Sequence, residues 1–296
     1  MKKATKALMF AGVAALLYGI NAPFSQILLN KIPPVLMASL LYFGAGFGMG
    51  VIWAFLPKKQ SRHLEFKEWP YILGMIVLDV LAPIMLMLGL QLTSAANASL
   101  LNNFEIVATS LLALLFFNEK ISKRLWLAIL FVSAASFLLS IEDPSSLSFS
   151  KGSLFVLLAA LFWGLENNCT RVLSKKDPLE IVVVKGIASG TGSLIVALIV
   201  GVNDFNWTYM VLALGLGFVA YGLSIYFYVR AQRDLGASKT SAFYAFAPFV
   251  GAGTSLIIFR ETPTFIFLGA LFLMIIGAYL VAIDYLKKTI EQGEKL

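Results

Sequence analysis

Residues 160–178 read ALFWGLENNCTRVLSKKDP, and residues 15–33 read ALLYGINAPFSQILLNKIP. At a constant shift, Ala15, Leu16, Gly19, Leu28, Lys31 and Pro33 recur as Ala160, Leu161, Gly164, Leu173, Lys176 and Pro178. A second block, 94–119, recurs at 236–261, with Ala95, Ser99, Phe104 and Glu119 among its matches. Self-similarity at a fixed spacing marks an internal repeat, so the architecture has to be read as two copies of one unit.

The composition says where that unit resides. Of 296 residues, 59% are hydrophobic and 13% charged, against about 25% charged in a soluble globular chain. Ten apolar stretches reach the roughly 20 residues needed to span a bilayer. They run at about 7–29, 33–56, 70–92, 96–117, 124–140, 152–173, 179–201, 207–230, 238–259 and 264–285. Their length and continuity indicate helices, since barrel strands are shorter and alternate. The first stretch follows Lys2, Lys3 and Lys6 as a signal peptide would, but it offers no small-x-small cleavage site and reads as a retained helix.

Five spans per repeat is an odd number, so the second repeat enters the membrane from the opposite side. The expected fold is therefore an all-α membrane protein of ten transmembrane helices in two inverted five-helix repeats around a central cavity. Residues 1–142 form the first repeat and 151–285 the second, with a cytoplasmic tail at 286–296. Lys and Arg gather in short cytoplasmic loops. With the N terminus inside, only Lys31, Lys151 and Arg260 fall in outer loops, Lys185 falls within the seventh span, and the rest of the 23 lie inside. Both termini are thus expected in the cytoplasm. Anionic membrane lipids account for the net charge of +7, and no nucleic-acid partner is expected.

Glycines at close spacing, in YFGAGFGMG (42–50) and KGIASGTG (185–192), let helices approach closely. Pro23, Pro83 and Pro248 inside spans remove backbone hydrogen bonds. With the pairs Tyr18-Gly19 and Trp163-Gly164, the TSAANASLL entry to the fourth helix, and the FFNEKIS and FRETPT exits of the fourth and ninth, the chain resembles the drug/metabolite transporter superfamily, specifically its EamA-type members. The resemblance covers essentially the whole chain. It implies a bundle whose cavity is built mostly by helices 1, 3, 4, 6, 8 and 9, and transport, often export, of a small metabolite.

Four ionisable residues lie deep in the spans: Asp79, Glu105, Glu166 and Lys185. Each costs at least about 2.5 kcal/mol if uncompensated, so they must be paired, neutralised or hydrated. Glu166 and Lys185 lie at similar distances either side of the turn at Lys175 and Lys176, so antiparallel helices place them at equal depth. An ion pair is expected, either lining the cytoplasmic half of the cavity or simply joining two helices. Asp79 and Glu105 are arranged likewise about Thr93 and Ser94, and two buried acids favour a proton on at least one. Glu105 is then a proton-coupling group, a ligand for a cationic solute, or a permanently neutral acid.

Amides surround these acids: Asn102, Asn103, Asn167, Asn168, and Asn21 at the position the repeat equates with Glu166. They serve interhelical hydrogen bonds or a polar ligand, and adjacent asparagines point about 100° apart. Trp163, Tyr244 and Phe246 offer aromatic walls, or packing alone. His63 is the sole histidine and Cys169 the sole cysteine. With no HExxH or GxSxG pattern either, no catalytic residue, cofactor or metal ligand is expected.

These features together point to a secondary-active transporter, an exporter by the family resemblance, working by alternating access and coupled to protons. The solute is expected to be a small polar metabolite such as an amine or amino acid. An anionic metabolite anchored by Lys185, or a non-transporting receptor or scaffold, is the alternative. Homodimerisation stays open.

Overall fold

The protein is described by a computed structural model covering residues 2–55, 63–117, 121–143, 148–173, 176–203, 205–235 and 244–291. Lipid offers a backbone no hydrogen bonds, so spanning segments must satisfy themselves as helices. Among the described residues, nine helices are long and apolar enough to cross a membrane, and Ala247–Phe259 is a shorter apolar one.

In chain order the membrane helices are α1 (Lys2–Gly19, continued by Asn21–Leu28), α2 (Pro34–Phe55), α3 (Trp69–Leu92) and α4 (Ala95–Leu101, then Phe104–Phe117). Next come α5 (Lys123–Ser140), α6 (Lys151–Leu173) and α7 (Pro178–Ile199). Last are α8 (Trp207–Leu235), α9 (Ala247–Phe259) and α10 (Phe265–Glu291). The 22 residues of α2 rise about 33 Å at 1.5 Å each, matching the hydrocarbon thickness. A small antiparallel hairpin, β1 (Ile141–Asp143) and β2 (Ser148–Phe149), joins the halves. The helix α10 continues to Glu291, so the segment from 286, expected as a tail, begins as helix.

Several spans are broken where the sequence removes or diverts backbone bonds. Pro23 has no N–H to offer the Gly19 carbonyl, and α1 is interrupted at Ile20. The turn at Asn102 and Asn103 splits α4. The repeat-related α9 begins after a turn at Ala245 and Phe246. The middle of α8, Phe218–Leu223, is a π-helix, a form frequent at functional sites. The expected ninth span from 238 begins in residues outside those described.

The inverted repeat is written into which helices touch. The pairs α2 with α7, α5 with α10, and α4 with α9 each join one helix to its own repeat counterpart. The pair α3 with α6 has its counterpart in α8 with α1. At the centre, Gly46 and Gly186 meet back to back, because a methyl on Gly186 would lie 2.5 Å from the Gly46 Cα. Gly44 and Gly217 let α2 and α8 cross with backbones nearly touching. Outward-facing side chains are apolar, including Phe55, Ile199 and Phe265, as lipid-facing surfaces require.

Replacing Gly46 by Leu should cost about 1–3 kcal/mol or more by overpacking. Gly12→Ala, with nothing within 4 Å of the added methyl, should be neutral or slightly stabilising. Thermal unfolding in detergent checks this, and equal shifts for the two variants would contradict the central contact.

Candidate functional site

The deepest polar groups come from α3 and from α6 and α7, both of which pack against α3. Burial here costs least if each charge meets its opposite. The Lys185 ammonium on α7 reaches Glu166 Oε1 on α6 at 2.9 Å and Asp79 Oδ2 on α3 at 3.1 Å. Asp79 is wholly buried and Glu166 is 2% exposed. The Tyr42 hydroxyl on α2 donates to Asp79 Oδ1 at 2.7 Å, with the Trp163 indole beside it. One helical turn beyond Glu166, Thr170 donates its hydroxyl to Glu166 Oε1.

The expected Glu166 and Lys185 contact is therefore present, but it is not an exclusive pair. Asp79 was expected beside Glu105, and instead it completes the pairing of Lys185. Counting from the shared α3–α4 turn gave depth alone, whereas the azimuth of Asp79 on α3 turns it toward α7. Glu105 accepts from Asn167 Nδ2 at 2.6 Å, and that amide also approaches Thr109 Oγ1 at 3.4 Å. The adjacent Asn168 points elsewhere, donating to the Gly164 carbonyl at 2.8 Å.

A second group lies on the repeat-related side of the bundle. Asn21 Nδ2 donates to the Tyr221 hydroxyl at 3.4 Å, and its carbonyl accepts from Ser25 at 3.1 Å. The rings of Tyr18 and Tyr244 lie 5.4 Å apart, and Tyr42 and Tyr221 5.3 Å. Tyr18 and Tyr221, 6.0 Å apart, link the two pairs. Tyr244 also shares a 3.3 Å hydrogen bond with Ser224. Asn102 Oδ1 and Asn103 Nδ2 are buried with no hydrogen-bond partner. Phe246, expected as an aromatic wall, is 56% exposed and faces outward.

Sequence reasoning missed Tyr42 and Tyr221 altogether. The signal for Tyr221 was present, because the 142-residue shift that relates the second pair of blocks carries Asp79 onto it. A tyrosine hydroxyl at Tyr221 thus stands where the other repeat has Asp79, as the Asn21 amide stands where it has Glu166. If every acid is ionised, Asp79, Glu105 and Glu166 outnumber Lys185 by two charges. The arrangement can hold a cation or protons; a separate pocket between Tyr18, Asn21, Ser99 and Asn102 has room of about 10 Å³, enough for one water.

One end of the bundle is fastened across the repeats. The Lys176 ammonium, before α7, contacts Glu65 at 2.7 Å and Glu68 at 3.1 Å, both just ahead of α3. It also donates to the His63 carbonyl at 2.9 Å. Hydrogen bonds from Lys176 and then Lys67 hold the Glu65 carboxyl at about 2, against its ordinary 4.5. On the same face His63 Nδ1 lies 3.0 Å from Glu180.

The model of the EamA-like transporter family matches residues 5–141 and again 150–283, and the chain belongs to this family. It is 29% identical over 268 residues to an uncharacterized transporter of Methanothermobacter thermautotrophicus, covering 84% of this chain and 78% of that one. It is 27% identical over 208 residues to the uncharacterized transporter YyaM of Bacillus subtilis, covering 67% of this chain and 65% of that one. A solved structure titled only as the crystal structure of a protein shares the fold, with a TM-score of 0.66 and 16% identity over 96% of this chain and 98% of the other. The protein is a multi-pass integral membrane protein of a transporter family.

Removing Lys185 alone strands two buried carboxylates. Lys185→Met should cost about 3–5 kcal/mol, and adding Asp79→Asn and Glu166→Gln to the same chain should recover most of it. Additive losses across the three changes, read by thermal unfolding, would show that the groups do not act as one cluster.

Proposed function

We propose, from membership of the EamA-like transporter family, that this chain is a secondary-active exporter of a small metabolite carrying an amine or a zwitterionic head. It works by alternating access with both termini cytoplasmic. The observation that carries the solute class is the charge balance of the buried cluster. Lys185 already contacts two carboxylates, so it is poorly placed to anchor an anion. The third acid, Glu105, is engaged by the neutral Asn167 and is the group left to attract a cation or take up a proton. Tyrosine faces at Tyr18, Tyr221 and Tyr244 supply the electron-rich walls that bind ammonium groups.

The closed state fits one station of an alternating cycle. Small-molecule sites usually offer about 300–1,000 Å³, far above the pocket of about 10 Å³ between Tyr18, Asn21 and Asn102; the cavity of about 580 Å³ between α2, α7 and α8 is lined almost wholly by apolar side chains, so the two repeats have to part before a polar metabolite reaches the buried polar groups. The contacts of Lys176 with Glu65 and Glu68 are read as the closed cytoplasmic gate. Inverted repeats suit this cycle, because exchanging the conformations of the two halves turns one opening into the other.

Proteoliposomes loaded with amines, amino acids or sugar phosphates test the solute class by counterflow. Amine or amino-acid exchange that Glu105→Gln abolishes, or strips of its pH dependence, is the expected result. Exchange of anionic solutes alone, unaffected by Glu105→Gln, would favour the anionic reading instead.

The gate makes a separate prediction about pH. Glu65 is depressed from 4.5 to about 2, so its contribution to the closed face is complete above about pH 4.5 and lost as pH falls toward 2. The contacts of Lys176 with Glu65 and Glu68 therefore stay charged between pH 5 and 8. With His63, which sits on the same face beside Glu180, replaced by Gln, Lys176→Ala should raise labelling of a cysteine placed there equally at pH 5.5 and 7.5, and a strongly pH-dependent effect would contradict the assignment.

A further inference from the structure

A buried polar pocket remains beside the carboxylate cluster, where the interrupted helices α1 and α4 meet α9. Ser99 and Asn102 are 3% and 8% exposed, yet Ser99 Oγ and Asn102 Oδ1 have no hydrogen-bond partner. Both residues line the small cavity that Gly19 and Pro248 also border. Leaving such atoms unsatisfied in a low-dielectric interior is costly, so a partner is expected.

The remaining wall is also rich in acceptors. A methyl built on Gly251 would lie 2.6 Å from Ser99 Oγ and 2.7 Å from the Gly19 carbonyl oxygen. The two oxygens therefore lie together against the Gly251 backbone, a close approach that only the missing side chain of Gly251 permits. Pro23 withholds the N–H that would otherwise bond the Gly19 carbonyl in a continuous helix. That carbonyl ends the 18-residue first half of α1.

The chemistry of the pocket selects its occupant. Hard, neutral oxygen donors suit a hard cation, and the excess of buried carboxylates nearby favours positive charge. The pocket itself is lined by no carboxylate, so a divalent ion would lack the charge it usually demands, and the room of about 10 Å³ is that of one water-sized body. Backbone carbonyls freed at broken helices, joined by side-chain oxygens, are a known way of holding a small ion inside a membrane bundle.

We propose that the Gly19 carbonyl, Ser99 Oγ and Asn102 Oδ1 form a binding site for a monovalent metal cation of about the size of sodium, built by the first repeat and covered by Ala247 and Pro248 of α9. The site ties α1 to α4, two helices of the first repeat, beneath the α9 wall of Ala247 and Pro248, so occupancy stabilises the packing of these helices. It is separate from the carboxylate cluster and does not depend on which solute the protein carries.

The test uses the full chain in detergent and reads the melting temperature in NaCl, KCl or choline chloride at constant ionic strength. Sodium should raise it saturably above choline, with potassium weaker. Asn102→Asp should move the sodium midpoint to lower concentration, whereas Ser99→Ala and Gly251→Ala should move it at least tenfold higher or remove the response. Asp79→Asn should keep the response, which separates this site from the carboxylate cluster. Identical curves in the three salts would mean that water fills the pocket and would overturn the proposal. A sodium response unchanged in Asn102→Asp, Ser99→Ala and Gly251→Ala would place the ion elsewhere and overturn it equally.

Discussion

The bundle is organised around an ammonium group in hydrocarbon. Lys185 cannot stay charged inside a membrane without partners, and a single carboxylate would leave Asp79 or Glu166 stranded in the same layer. The structure solves both problems by placing Lys185 between them, at 2.9 Å and 3.1 Å. This ties α3 and α6 to α7 at one depth. The contact is shared by helices of both repeats, α3 of the first and α6 and α7 of the second. Buried ionic clusters add little net stability, but breaking one is expensive. Such a cluster suits a point around which two repeats exchange positions.

Around it, each device that departs from an ideal helix serves close approach or an opened backbone. Gly46 and Gly186 let α2 and α7 meet at the axis. The interruption at Ile20 leaves the Gly19 carbonyl without the N–H that Pro23 lacks, as a membrane interior tolerates only where something polar receives it. Gln26 shows the same economy away from the centre. Its amide donates to the Leu90 and Thr93 carbonyls and its oxygen accepts from Ala95 N, fixing the α3–α4 turn.

Much of this was legible in the sequence because it follows from composition and counting. Ten apolar stretches, an odd number per repeat and the matched blocks specify the inverted bundle. Equal distances from a shared turn placed Glu166 and Lys185 at one depth. The same counting failed for Asp79 and Glu105, since depth says nothing about which way a side chain faces around its helix. Tyr42 and Tyr221 were hidden among 10 tyrosines and 24 phenylalanines, where an aromatic residue is by itself no signal. Helix interruptions were only half visible: Pro23 announced one, whereas Asn102 and Asn103 read as polar side chains rather than as a turn.

The account stands on the claim that the two repeats move reciprocally about the Lys185 cluster, and inter-spin distances test it most directly. In a Cys169→Ser background, one label pair would sit on the face carrying Lys176, at Phe66 and Leu179. A second pair would sit on the opposite face, at Lys31 and Phe205. The account predicts two distance populations for each pair, with one face opening as the other closes, and a shift of that balance in Lys185→Met. A single unchanging distance at both faces, in the parent and in Lys185→Met alike, would contradict it.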